Sequence, residues 1–198
     1  KVHNHADAEE LAKKFYFIAK RFDVTMHVYV HGSSQPQGRG VGPLLETRES
    51  LKVLEQTLDR PLDLEEKGVT LAGLLLDICL KDSPKKLQKR IKEEFGTGKA
   101  WAKALLASGQ ALKKMQEIIA AQGGNSAIIS DNLRPGKHSY EVKAKRTGKV
   151  DEVNSKNLTI IAKILGAPTM KKSGIYLHKK IGQSVIPGDS IYTLYSES

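Results

Sequence analysis

The chain of 198 residues contains one cysteine, one tryptophan and only 6% aromatic residues. Each scarcity narrows the possible functions. A single cysteine, Cys79, provides no disulfide framework, and its setting in LAGLLLDICL reads as a buried core thiol rather than a reactive one. The absence of a disulfide pattern points to a cytoplasmic home. Few aromatics leave little material for platforms on which nucleic-acid bases stack. No apolar run is long enough for a membrane-spanning helix, and no secretory signal is visible. Acidic residues are outnumbered, 22 against 32 lysines and arginines, for a net charge of +10. Such a balance favours anionic partners. The basic residues are nevertheless interleaved with acidic ones, as in SPKKLQKRIKEEF, and no familiar DNA- or RNA-binding motif is present. A solvated basic surface follows, with neither nucleic acid nor membrane as partner.

A hydrophobic content of 39% and a charged content of 27% fit a globular chain of one large or two small domains. In residues 7–22, Leu11, Phe15, Ile18 and Phe22 recur at helical spacing. VTMHVYV at 24–30 alternates, which predicts a half-buried strand. A glycine-rich stretch follows, SSQPQGRGVGP, with Gly38, Gly40 and Gly42 at every second position. Pro43 suits the first position of a helix, with Leu44, Leu51, Leu54 and Leu58 as its core stripe and DRP at 59–61 as its stop. Further helices are predicted at about 63–80, 83–95, 98–107 and 109–121, closed by QGGN, where Gly123 or Gly124 can take a left-handed cap.

Beyond residue 125 the composition shifts. YEVKAKRTGKVDEV reads as strands about Gly148. NSKNLTIIAKILG reads as a capped helix with Leu158, Ile161 and Leu165 on one face. The last segment reads as short strands with turns at Gly182 and at Pro187–Asp189. The expected fold class is a helix-rich part of an α/β domain over 1–130, followed by a small β-rich α+β domain over 131–198.

The alternating glycines allow two readings, a structural turn or a loop that lines a ligand or ion. Their N–H groups can gather on an anion with the next helix dipole assisting, or their carbonyls can converge on a cation. The spacing matches neither the phosphate-loop motif nor the full dinucleotide fingerprint. Glu46 and Glu49, three residues apart on the new helix, read as solvated carboxylates beside Arg48 and Lys52, or with one of them turning back toward the loop to hold a cation together with loop carbonyls. His3 and His5 are a weak metal pair without a third ligand. Ser33 and Ser34 with His27 and His31 make no readable nucleophile–base arrangement. IGQSVIPGD with AKRTGKV has the flavour of a biotinyl or lipoyl carrier domain, but Met170, Lys171 and Lys172 lack the flanking pattern of a carrier lysine.

Taken in order, SSQPQGRGVGPLLETRESLKVL, LAGLLLDICL, ALLASGQALKKMQEIIAAQGGN, AKRTGKVDEVNSKNLTIIAKILGAP and GIYLHKKIGQSVIPGDSIYTLYSES resemble the C-terminal part of the thymidine and pyrimidine-nucleoside phosphorylases. The likeness is to their long bacterial form, close to the archaeal AMP phosphorylases, and covers nearly the whole chain. It implies a pentosyltransferase in which phosphate attacks C1′ of thymidine and releases thymine and 2-deoxyribose 1-phosphate, without an organic cofactor. It implies an α/β-hammerhead with barrel-sandwich character at the β-rich end, and a homodimer for the full-length enzyme. It places the phosphate- and base-holding side chains upstream of Lys1, so none of these residues is expected to be catalytic or substrate-binding and this stretch alone is expected to be inactive. A monovalent cation, potassium, is implied at the carbonyls of Gln37 and Gly40 and the carboxylate of Glu49. AMP phosphorolysis, and a non-catalytic carrier or interaction module, are the alternatives.

Overall fold

A computed structural model describes residue 2 and residues 4–198. The chain divides into two units by its internal contacts, residues 1–32 with 67–104 and residues 33–66 with 105–198. Helix and antiparallel sheet both occur, and no helix of the described residues is long and apolar enough to cross a membrane.

The first unit is helical. α1 spans His5–Arg21 and is capped by Asn4, whose side chain accepts from the Asp7 N–H. Its apolar stripe is present, yet Leu11, Phe15, Ile18 and Phe22 are all exposed, Phe22 at 75%. Residues 24–30 form no strand among the described residues, which corrects the expectation from their alternation. The alternation survives in burial, since Met26 and Val28 are half-buried between exposed neighbours. A strand also needs a partner strand, and among the described residues the Val28 N–H bonds instead to the Tyr16 hydroxyl at 3.3 Å. α3 spans Leu62–Lys81, α4 Lys85–Phe95 and α5 Gly98–Ala107. Gly73 and Gly98 let α3 and α5 touch backbone to backbone: a Cβ on Gly98 would lie 2.3 Å from the Gly73 carbonyl oxygen. The Gly98 N–H donates to Asp77 at 2.9 Å and so caps the crossing. Val69, Ile91 and Ala102 are buried in this unit.

Cys79 is exposed, contrary to the core reading of its apolar neighbourhood. It continues the row of Leu71 and Leu75 at i, i+4 spacing, and both of those are exposed as well. The packed row of α3 runs instead through Val69 and Gly73.

The second unit holds the sheet. β1 (Gly40–Val41), β4 (Gly174–Leu177), β6 (Ser190–Ser196) and β2 (His138–Lys143) lie in the order β1-β4-β6-β2, every pair antiparallel. A second, two-stranded sheet pairs β3 (Gly148–Lys149) with β5 (Ser184–Val185). α7 (Ser155–Ile164) is capped by the Asn154 side chain and lays Leu158 and Ala162 on Ile175 and Leu177, with Ile161 and Leu165 packed alongside. Ile175 is completely buried. Gly182 (φ +83°) and Gly188 (φ +95°) supply the left-handed turns that the sequence marked. α6 spans Gln110–Ala121 and is followed by left-handed Gly123.

α2 (Pro43–Glu55) starts with Pro43 at its first position, as its sequence predicts. Its anchor is not Leu44 but Leu45, 1% exposed, with Leu51 one turn and a half further on. Leu58 drops out of the stripe because the helix ends at Glu55 and Gln56 turns left-handed (φ +55°), leaving Leu58 fully exposed. Glu55 accepts from the N–H and hydroxyl of buried Ser130 and thereby ties the end of α2 to the 3-10 turn Ser130–Asn132.

Candidate functional site

The glycine stretch is tied down by partners of both charges, all within the second unit. Its backbone donors point to carboxylates. The Gly38 N–H donates to Asp63 Oδ2 at 3.1 Å. The Arg39 N–H is shared between Glu49 Oε1 and Oε2 at 3.0 and 2.8 Å, and the Gly40 N–H donates to Glu49 Oε2 at 2.9 Å. The Gly42 N–H donates to Glu46 Oε1 at 2.9 Å. The loop is therefore an anion nest whose anions are the protein's own side chains. Glu46 and Glu49 both turn back toward it, and Glu49 is only 4% exposed.

This conformation depends on glycine at two of the three positions. Gly38 has φ +71°, and a Cβ there would meet Glu49 Oε2 at 2.3 Å; Gly42 has φ +122°, and a Cβ there would meet the Ser173 carbonyl oxygen at 2.6 Å. Gly40 is instead a close approach, since a Cβ would fall 2.8 Å from the backbone carbon of Leu45.

Two carbonyls of the stretch face a cation. Lys180, three residues beyond β4, donates from Nζ to the carbonyls of Pro36 and Gly38 and, at 3.2 Å, to Asp63 Oδ2. The Arg39 carbonyl accepts from the Leu177 N–H at 2.8 Å, and the Arg39 guanidinium returns bonds to the carbonyls of Leu177 and His178 at 3.1 and 2.7 Å. Gln35 Oε1 accepts from the Ile181 N–H at 2.9 Å. A cleft of ≈ 440 Å³ borders this cluster, lined by Gln35, Arg39, Glu49, Asp63 and Lys180 among others. Neither Asp63 nor Lys180 carries a sequence signal for this role, because 117 residues separate them.

Two ionisable groups here are shifted. Burial pushes the Asp63 carboxyl up, but the Lys180 ammonium and the N–H groups of Gly38 and Leu64 together hold it below its ordinary value. Burial lowers the His178 imidazole; Glu141 opposes this and Arg39 adds to it.

The sequence-predicted cation ligands come together in part. Glu49 and Gly40 are in contact through the Gly40 N–H, and Gln37 is half-buried in the same loop. Two carbonyls and a carboxylate are oxygen donors of the kind a hard cation takes. Glu49 is a buried carboxylate that takes two backbone N–H groups and, among the described residues, forms no ion pair with a basic side chain. The other candidates do not gather. His5 pairs with Glu9 at 3.3 Å on an exposed helix face, and His3 lies outside the described residues. His31 Nδ1 contacts the Gly32 carbonyl oxygen, and Ser33 and Ser34 are exposed. Lys171 and Lys172 lie just before β4, where the Lys171 carbonyl accepts from the Leu44 N–H and the Lys172 N–H donates to Glu197.

Comparison with known proteins bears on the same segments. Residues 149–198, which contain β4, β6 and Lys180, match the pyrimidine nucleoside phosphorylase C-terminal domain. The chain is 38% identical over its full length to a protein of Methanocaldococcus jannaschii named "AMP phosphorylase", covering 37% of it. It is 36% identical over its full length to an "AMP phosphorylase" of Methanospirillum hungatei, covering 36% of it. It is 37% identical over its full length to a Legionella pneumophila protein named "Putative thymidine phosphorylase", covering 35% of it. The chain thus spans little more than a third of the length of these relatives. The resemblance read from the sequence is borne out: this chain is similar from end to end to a portion of the nucleoside phosphorylases, and its last fifty residues match their C-terminal domain.

Proposed function

We propose that this chain is part of a phosphorylase that splits the glycosidic bond of thymidine with inorganic phosphate, giving thymine and 2-deoxyribose 1-phosphate. The supporting observation is the end-to-end similarity to relatives named as thymidine or AMP phosphorylases, which runs through the glycine loop and the C-terminal strands alike. Phosphate oxygen forms a bond to C1′ as the bond from C1′ to the pyrimidine nitrogen breaks, and the base leaves with that electron pair. Positive charge develops on the sugar, so catalysis consists of positioning and electrostatics. The contribution of these 198 residues is the loop and its support. We assign no catalytic or substrate-binding residue among them, and the piece by itself is expected to be inactive.

Gln37 and Gly40 by their carbonyls and Glu49 by its carboxylate would hold a potassium ion, which would supply fixed positive charge near bound phosphate. The same reading carries with it an α/β-hammerhead of barrel-sandwich character at the β-rich end, a cytoplasmic location and a homodimeric full-length enzyme. The same similarity supports AMP as the substrate, since relatives with that name match as well.

The test is phosphorolysis by the full-length protein, with thymidine, uridine and AMP offered separately. Free thymine with little adenine is the expected result. Adenine release from AMP would move the protein to the nucleotide-using branch, and no turnover of any substrate would remove the phosphorylase reading.

A further inference from the structure

Lys180 does something unusual for a surface-turn lysine. Its side chain is 12% exposed, and it places one ammonium against three oxygens: the carbonyls of Pro36 and Gly38 and the Asp63 carboxylate. An ammonium has three protons and no acceptor, so these three oxygens satisfy it completely. The arrangement is built from both sides. The Lys180 N–H donates to Gln183 Oε1 at 2.7 Å across the turn closed by Gly182, and the next N–H, of Ile181, donates to Gln35. The neighbouring Lys179 is occupied elsewhere, with Asp189 at 2.9 Å and the Ser184 carbonyl at 3.0 Å. Two adjacent lysines therefore have separate roles, and only one of them enters the loop.

The loop needs such a charge. With its N–H groups turned to Glu49 and Asp63, the carbonyls of Pro36 and Gly38 converge on a single point, and convergent carbonyl dipoles repel unless a cation stands between them. Two backbone carbonyls and one carboxylate are also a ligand set for a hard monovalent ion.

We infer that Lys180 is the built-in cation of the glycine loop: its ammonium occupies a monovalent-cation site made by the Pro36 and Gly38 carbonyls and Asp63, and removing the side chain leaves a site that ammonium or potassium ions fill. Lys180 is thus a positioning residue that sets the loop's shape through its backbone. The inference does not depend on the proposed reaction, nor on an ion at Gln37, Gly40 and Glu49.

Chemical rescue tests it on the full chain. Amide hydrogen exchange is followed by mass spectrometry in the 33–42 peptide, at equal ionic strength in choline, lithium, ammonium and potassium chloride. Lys180→Ala is expected to exchange at least tenfold faster there in choline or lithium, and to return to within about twofold of the unsubstituted protein in ammonium or potassium. Lys179→Ala is expected to leave that peptide unchanged. Lys180→Met, whose apolar chain fills the space without charge, is expected to show fast exchange in every salt. If Lys180→Ala folds only in ammonium or potassium, thermal melting reads the same rescue. Lys180→Ala unfolded in all four salts, loop exchange equal to the unsubstituted protein, no preference among the cations, or a protected loop in Lys180→Met would each overturn the inference. A potassium response of the unsubstituted protein that Glu49→Gln abolishes belongs to the other site, and is read independently of the rescue.

Discussion

His178 shows how a single residue registers its surroundings. It contacts Thr193 Oγ1 through Nε2 at 2.7 Å and packs edge-on against Tyr176. Burial is the largest cause of its lowered pKa, and Arg39 adds to it against the pull of Glu141. A histidine whose folded pKa is depressed binds its proton less readily in the folded state than in the unfolded chain. Its contribution to stability is therefore complete above the ordinary imidazole value of about 6.5 and is lost as pH falls through the lower folded value. Asp63 is depressed too, but its loss begins only near the ordinary carboxylate value of about 4. The two windows are separate. The melting temperature is expected to fall between about pH 7 and pH 5, and to fall less steeply in His178→Gln. Parallel slopes for the two proteins would remove His178 as the cause.

At the scale of the element, α2 carries the loop, because it contributes Glu46 and Glu49 to the backbone that precedes it. Leu45 fixes the helix against that backbone: it is 1% exposed and lies against both Gly40 and Gly174. Leu45→Ala is expected to destabilise the chain by about 2–5 kcal/mol, read as a lower denaturant midpoint with an unchanged slope. A loss below about 1 kcal/mol would show that the helix is held elsewhere. The start of α2 was legible because proline after glycine is a local signal, and the same holds for the Asn154 cap of α7 and the turns at Gly182 and Gly188. Its burial was misread by one position. The helical period admits either Leu44 or Leu45, and only the close approach of Gly40 and Gly174 selects between them. Residues 24–30 failed for a related reason, since alternation predicts which side chains face inward but not whether a partner strand lies beside them. Of the candidate site, the turning back of one of Glu46 and Glu49 was among the readings open from the sequence, and in the structure both do so. Asp63 and Lys180 were not, because nothing local marks residues that meet only in three dimensions.

For the whole molecule, the relevant quantity is the net charge of +10. Some of its lysines are paired on the surface, as in Lys14–Glu10, Lys89–Glu93 and Lys114–Glu117, and do not add to the free positive charge. Exposed charges of this kind act at long range only in dilute salt. A fluorescent DNA duplex is expected to bind weakly at low salt and to show no saturable binding at about 0.15 M salt. Saturable binding there, equal for all sequences, would make nucleic acid a partner after all.

The bond between Lys180 and the Gly38 carbonyl closes over 142 residues of chain. During synthesis the glycine stretch leaves the ribosome long before Lys180 exists, and it must wait with its carbonyls open to water. Contacts this distant in sequence carry a large loop-closure entropy. The loop therefore cannot take its finished form until Lys180 has been added, and any product that stops short of Lys180 carries it without its ammonium.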